Sequence, residues 1–124
     1  MANTATLVST SSITIAGVDV VYGYAIAIDT INTDLTIRTP AATKMIGVVG
    51  WVHRENAAYD FSFKSSPSTT LVTIETASTT SPVPVLIGQG VLAVTVPGQA
   101  LIVQSTVVVT SMLLYVIESD RFFL

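Results

Sequence analysis

Residues 76–117 carry no charged side chain, and this run is bounded by Glu75 and Glu118. Its last part, "ALIVQSTVVVTSMLLYVI", could be a membrane span, a pair of buried strands, or a surface that another protein covers. A membrane helix needs about 20 mainly apolar residues. Five Gln, Ser and Thr residues interrupt these 18, and β-branched residues fill their middle, so the run predicts β-strands and no membrane contact.

The composition favours β-structure along the whole chain. Val, Ile and Thr together supply 47 of the 124 residues, and β-branched side chains favour pleated, half-buried surfaces. Only 10% of the residues are charged, whereas Ser and Thr together number 30. Soluble domains carry about 25% charged residues, so this chain has a surface whose polarity comes mainly from hydroxyl groups.

Alternation with a period of two residues places the strands. In "YDFSFK", Tyr59, Phe61 and Phe63 fall on one face, and this strand is expected to form a hairpin with "TLVTIET". The denser run "KMIGVVGWVHRE" is typical of a central strand. Strands recur about every 8 to 12 residues, as in a sandwich. We expect residues 1–124 to form one all-β domain, an antiparallel, jelly-roll-like β-sandwich of about eight strands.

Two further structural expectations concern a turn and the N-terminus. Pro97 and Gly98 predict a tight turn that joins the flanking segments as a hairpin. Residues 1–10 are predicted to form an arm that is either flexible or exchanged with a neighbouring subunit.

The strand at 112–117 is apolar on both faces. Alternation places Leu113, Tyr115 and Ile117 opposite Leu114 and Val116. In a two-sheet sandwich only one face of each sheet lies inside, so the second face is expected to lie against another subunit or protein. A closed cyclic homo-oligomer would cover it, and a trimer is the expected number for sandwiches packed side by side.

Four residues are candidates for partner binding: Trp51, His53, Arg54 and Tyr115. His53 is the single histidine, and it forms the densest charged cluster together with Arg54 and Glu55. In a catalytic interpretation, His53 would act as a general base that a nearby carboxylate holds in place. A solvated strand end is the interpretation that we favour.

No pattern in the chain predicts an enzyme, a cofactor or a metal site. A G-x-S-x-G nucleophile motif is missing, and "GQGVLA" precedes a strand, whereas a dinucleotide motif precedes a helix. The chain has no cysteine, a single histidine and no EF-hand loop. The net charge is -3 and the five Lys and Arg residues are scattered, which excludes the basic patch that nucleic-acid binding requires.

In composition and hydrophobic pattern, the chain resembles the small jelly-roll decoration, or cement, proteins of tailed-phage capsids. The resemblance covers nearly the whole length and consists of the Thr-, Val- and Ala-rich, cysteine-free composition and the apolar last strand in "SMLLYVIESDRFFL". It implies a trimer on the shell surface that reinforces the joints between major capsid subunits. No binding residue is carried over by position.

The resulting expectation is a structural virion protein without enzymatic activity. As a homo-oligomer, it would bind the major capsid protein or another virion protein, after synthesis in the host cytoplasm without a signal peptide. The alternative is a carbohydrate- or receptor-binding β-sandwich module of a viral fibre or particle. Its sugar-stacking candidates would be the rings of Trp51, Tyr22, Tyr24 and Tyr59.

Overall fold

A computed structural model describes residues 3–11, 20–53, 59–76, 83–86 and 92–120. These residues form ten β-strands and no helix. The strands are β1 (Thr4–Ser11), β2 (Val21–Ile28), β3 (Leu35–Arg38), β4 (Met45–His53), β5 (Tyr59–Ser65), β6 (Thr69–Thr76), β7 (Val83–Leu86), β8 (Ala93–Val94), β9 (Leu101–Ser105) and β10 (Val109–Ser119).

The strands form two antiparallel sheets with a jelly-roll topology. The first sheet has the order β1-β2-β10-β4-β7, with β8 also paired to β4, and the second has the order β3-β9-β5-β6. Without β1 and β8, each sheet contains four strands, and the chain passes between the sheets as two Greek keys require. The predicted all-β, jelly-roll-like sandwich is therefore confirmed, with two strands added to the expected eight.

The core lies between the sheets and is filled by the residues that alternation predicts. On β5, Tyr59, Phe61 and Phe63 all point inward, and Phe63 is completely buried. The ring of Phe63 lies 5.6 Å from that of Trp51 and 5.3 Å from that of Phe61. Ile28 of β2, also completely buried, faces the same core. Burial of these large rings and branched side chains is the main force that holds the sheets together.

Two predicted elements are confirmed in detail. β4 is a central strand, because it pairs with β10 on one side and with β7 and β8 on the other. β5 and β6 form the predicted hairpin, which residues 66–68 close.

The predicted hairpin at Pro97 and Gly98 is wrong, although the turn itself is present. The amide of Gln99 donates a hydrogen bond to the carbonyl of Val96 over 3.0 Å, and Gly98 has a φ of 79°, as a type II turn requires. However, β8 before the turn pairs with β4, and β9 after it pairs with β3 and β5. The turn therefore carries the chain from one sheet to the other.

The end of the charge-free run forms two strands in opposite sheets. β9 belongs to the four-stranded sheet and β10 to the six-stranded sheet. The sequence allowed either two successive strands or one long bent strand, and the structure has two successive strands. Among the described residues, no helix has the length and apolarity that crossing a membrane would need.

The described part of the predicted N-terminal arm pairs within its own chain. β1 runs antiparallel to β2. The side-chain oxygen of Asn3 accepts hydrogen bonds from the amides of Asp29 and Thr30, each over 2.8 Å. These contacts fix the start of β1 beside the end of β2. Exchange of the arm with a neighbouring subunit stays a prediction.

Candidate functional site

The two sheets differ sharply in charge. The six strands of the larger sheet include one charged residue, Glu118, near the end of β10. The four strands of the smaller sheet include four, namely Arg38, Asp60, Lys64 and Glu75. Because a solvated sheet face normally alternates polar residues with the buried ones, the larger sheet lacks the charges expected of an outer face in water.

On the three central strands of the larger sheet, β2, β10 and β4, the outer face is built from small and apolar residues. On β10, Met112 and Leu114 point into the core, so Leu113, between them, points outward. Directly paired residues share a face, and Leu113 pairs with Ala25 and Val52. The apolar face, as we call it, comprises Gly23, Ala25, Ala27, Gly47, Gly50, Val52, Leu113 and Tyr115.

Tyr115, one of the candidates for partner binding, lies on this apolar face. It pairs with Gly23 on β2 and Gly50 on β4. A Cβ atom on Gly23 would come within 3.1 Å of Cε1 of Tyr115 and would collide with Oγ of Ser9. Gly23 therefore leaves the space in which the partly buried tyrosine ring lies across the sheet.

Ile117 lies on the same side of the sheet as Tyr115, as alternation predicts, but it is not part of the uncovered surface. The register places it opposite Gly47, on the same side as Tyr115, yet Ile117 is completely buried within the chain. It needs no partner to cover it, and the apolar face is correspondingly smaller than alternation along β10 predicts.

Trp51 lies in the core, which corrects the prediction that it contacts a partner. It is 4% exposed and packs against Phe63. The cause is a bulge in β4: Val48 pairs with Val116 and Gly50 with Tyr115, which leaves Val49 without a directly opposed residue on β10. The extra residue reverses the alternation, so Trp51 shares the inner face with Val48.

The remaining two candidates are placed only in part. His53 is the last residue of β4, where its backbone pairs with Met112 and Val83. Arg54 lies outside the described residues. Trp51 and Tyr115 occupy opposite faces of the sheet, so the structure does not bring the predicted set together. Partner binding by His53 and Arg54 stays a prediction.

A second cluster, which the sequence did not predict, joins the two sheets around Arg38. Its Nε donates a 2.7 Å hydrogen bond to Glu118 on β10, and its Nη1 donates a 3.0 Å bond to the hydroxyl of Tyr24 on β2. The guanidinium also lies 3.8 Å above the centre of the Tyr22 ring. Burial lowers the pKa of Arg38, but the hydrogen bonds to Tyr24 and Glu118 outweigh it and raise the pKa above its usual value.

Replacing Arg38 with methionine is expected to lower the free energy of unfolding by about 1.5–3 kcal/mol, the usual range for a lost hydrogen bond to a charged group. The side chains of Arg38 and Glu118 are only 24% and 12% exposed, so water replaces the lost contacts poorly. Urea denaturation measures the change. Arg38→Lys, which keeps the charge without the two-pronged geometry, should lose less; equal stability of all three proteins would contradict the prediction.

A smaller ion pair lies beside the hairpin of the four-stranded sheet. The Nζ of Lys64 donates to Oδ1 of Asp34 over 3.0 Å, and Oγ of Ser68 donates to Oδ2 over 2.8 Å. Burial raises the pKa of Asp34, but the hydrogen bonds from Lys64 and Ser68 outweigh it and hold that pKa below its ordinary value.

This ion pair predicts a small loss of stability in acid. The folded pKa of Asp34 lies below its ordinary value of 3.8. The contribution of Asp34 to stability is therefore complete above its ordinary pKa and is lost as the pH falls through the folded pKa. The Asp34 side chain is 34% exposed, and solvent screening limits the contribution to about 0.2–1 kcal/mol. Urea denaturation of the wild type and Asp34→Asn should differ at pH 6 and converge near pH 2 to 3; a constant difference would contradict the assignment.

The acidic residues that the structure describes form no metal centre. Among the described residues, no three His, Cys, Asp or Glu side chains are grouped so that they could hold a metal ion. Two of these acids are paired with cations instead, Asp34 with Lys64 and Glu118 with Arg38.

No protein-family model and no curated protein matches the chain. Among solved structures, it is similar to a carbohydrate-binding module of Cellvibrio mixtus lichenase 5A in complex with cellotriose, with 12% identity, a TM-score of 0.34, and coverage of 96% of this chain and 87% of the module. It is also similar to the module CsCBM6-3 of Clostridium stercorarium in complex with cellobiose, with 17% identity, a TM-score of 0.32, and coverage of 98% and 95%. At these TM-scores neither complex is evidence for sugar binding by this chain, and the assignment of the jelly roll rests on its own strand order.

Proposed function

We propose that the protein is a structural component of a virion, a capsid decoration or cement protein that acts as a homo-oligomer. The observation that carries this proposal is the difference in charge between the sheets, with a single charged strand residue in the larger sheet and four in the smaller. Contact with another protein across the larger sheet would therefore bury few charges, and the centres of protein interfaces are depleted of charged residues.

The apolar face is the proposed subunit interface. Its side chains are partly buried in the single chain, and none is charged. Covering apolar surface contributes roughly 25 cal/mol for each Å², and contact between uncharged faces avoids burying unpaired ions. A closed ring of copies, with three as the expected number, covers this face on every copy and leaves the charged four-stranded sheet in water.

The proposed partner on the particle is the major capsid protein. Several copies of a weak contact, held in one ring, bind a repeating shell far more tightly than one copy does. With few charges, the protein would gain little from electrostatic steering, so binding is expected to depend weakly on salt.

Co-sedimentation with shells of the virus that encodes the chain tests this function. The wild-type protein is expected to pellet saturably with shells, at a fixed ratio to the major capsid protein and at both low and high salt. If the protein binds neither mature nor expanded shells, the proposed capsid role is wrong. Selective binding to a glycan array by the same preparation would instead favour a carbohydrate-binding module.

A further inference from the structure

The edge of the six-stranded sheet is unusually well suited to pairing with another strand. Among the described residues, β1 pairs with β2 alone, and its sequence "TATLVSTS" contains neither charge nor proline. Leu7 and Val8 at its centre are 48% and 54% exposed. Edge strands are normally protected by charges, proline, short length or a β-bulge. Of these four protections, β1, with eight residues, has only a bulge, at Val8.

The edge strand β6 of the smaller sheet differs from β1 in its charge. β6 is also eight residues long and, among the described residues, pairs only with β5. It carries Glu75 directly opposite Asp60, so a strand added at this edge meets negative charge. β1 has no charged residue that would oppose an added strand in this way.

The bulge in β1 places residues on either side of it symmetrically with respect to the two faces of the sheet. Thr6 and Ser9 pair with Ala25 and Gly23 of the apolar face, and both therefore lie on the outer side. Ala5 and Thr10 pair instead with Ile26 and Tyr22, which face the core side. The register shift at Val8 reverses the alternation there, so residues equally distant from the Leu7–Val8 bond share a face.

We propose that β1 pairs antiparallel with β1 of a second copy across a twofold axis at the Leu7–Val8 bond. In this register Thr6 lies opposite Ser9 and Leu7 lies opposite Val8. Hydroxyl then meets hydroxyl and apolar meets apolar, which are favourable cross-strand pairs. The pairing covers the two exposed hydrophobic residues and joins two six-stranded sheets into one continuous sheet.

This edge contact is separate from the apolar face and has a different symmetry. A twofold axis pairs copies, so where the rings proposed above also form, β1 joins one ring to another and doubles the number of copies. The strand-edge contact is therefore a second way for copies of this chain to associate, independent of the apolar face.

Paired cysteines test the register directly, because the chain has no cysteine of its own. In the double variant Thr6→Cys/Ser9→Cys, mild oxidation is expected to give a covalent dimer on a non-reducing gel. The two cysteines of one strand are roughly 10 Å apart, too far to join each other. Thr4→Cys/Ser9→Cys, which is out of register, should cross-link at least ten times more slowly; equal rates, or no dimer from either variant, would overturn the proposal.

A charge on the edge supplies the second test. Val8→Lys places two ammonium groups beside the twofold axis and is expected to halve the mass of the species in solution, as measured by light scattering. Val96→Lys is the matched control, since Val96 is a similarly exposed valine, 49% exposed, away from β1. If Val8→Lys leaves the mass unchanged, edge pairing is wrong, and the apolar face is then tested independently by substitutions at Val52.

Discussion

Val52→Asp is expected to break the contact through the apolar face, which leaves folded single chains, or pairs of chains where the β1 edges also associate. Val52 lies on the apolar face, between Leu113 of β10 and Pro84 of β7. A carboxylate buried there against a second copy has no cation to pair with, and an uncompensated buried charge costs about 3–5 kcal/mol. The association constant should therefore fall at least about 100-fold. Sedimentation velocity over a range of protein concentrations measures this change.

A matched control separates this effect from a general effect of added charge. Val108→Asp makes the same substitution at a valine that is 46% exposed in the connection between β9 and β10, and it should leave the oligomer intact. Val52→Thr, which stays neutral and β-branched, should weaken association only slightly. Circular dichroism must show that Val52→Asp is folded. A folded Val52→Asp protein with the wild-type mass would show that the apolar face is not the interface.

Phe63→Ala is expected to cause the largest loss of stability, about 3–5 kcal/mol in the free energy of unfolding. Phe63 is completely buried on β5, where its ring packs against those of Trp51 and Phe61. Removing the ring loses both its burial and its contacts across the two sheets, because the neighbouring side chains close the cavity only in part. Urea denaturation at one fixed protein concentration measures the loss.

The control for this substitution is an apolar residue outside the core. Ile31 is 44% exposed in the connection between β2 and β3, and Ile31→Ala is expected to change the stability by no more than about 0.5 kcal/mol. Similar losses for Phe63→Ala and Ile31→Ala would contradict the position of Phe63 at the centre of the core.

The fold was predictable wherever alternation ran without interruption. On β5, the period of two residues carries Tyr59, Phe61 and Phe63 to the inside, and the structure has all three there. The same rule places Ile26 and Ile28 of β2 in the core. Local side-chain periodicity identifies a strand and its buried face because both follow from the pleat of the backbone.

Prediction failed where the pleat is interrupted or where distant segments meet. The bulge at Val49 turns Trp51 inward, and a bulge depends on the pairing of strands that the sequence does not state. The pair formed by Arg38 and Glu118 spans 80 residues, so no local pattern could reveal it. The Pro97 turn was visible, but the sheet that its second strand joins was not.

The apolar face was predictable in outline because it follows from the composition of one long segment that has no charged residue. A run of 42 residues without charge, from 76 to 117, supplies the strand β10 at the middle of the larger sheet. Residues of β2 and β4, outside this run, complete the face with Ala25, Gly47 and Val52. Their contribution required the strand order, which brings three distant segments side by side.

The mass of the wild-type protein in solution tests the central claim most directly. Light scattering at micromolar concentration is expected to give a multiple of the 13.0 kDa chain, three copies through the apolar face or six where the β1 edges also pair. A stable species of one 13.0 kDa chain at that concentration would contradict the proposal that the apolar face exists to bind other copies.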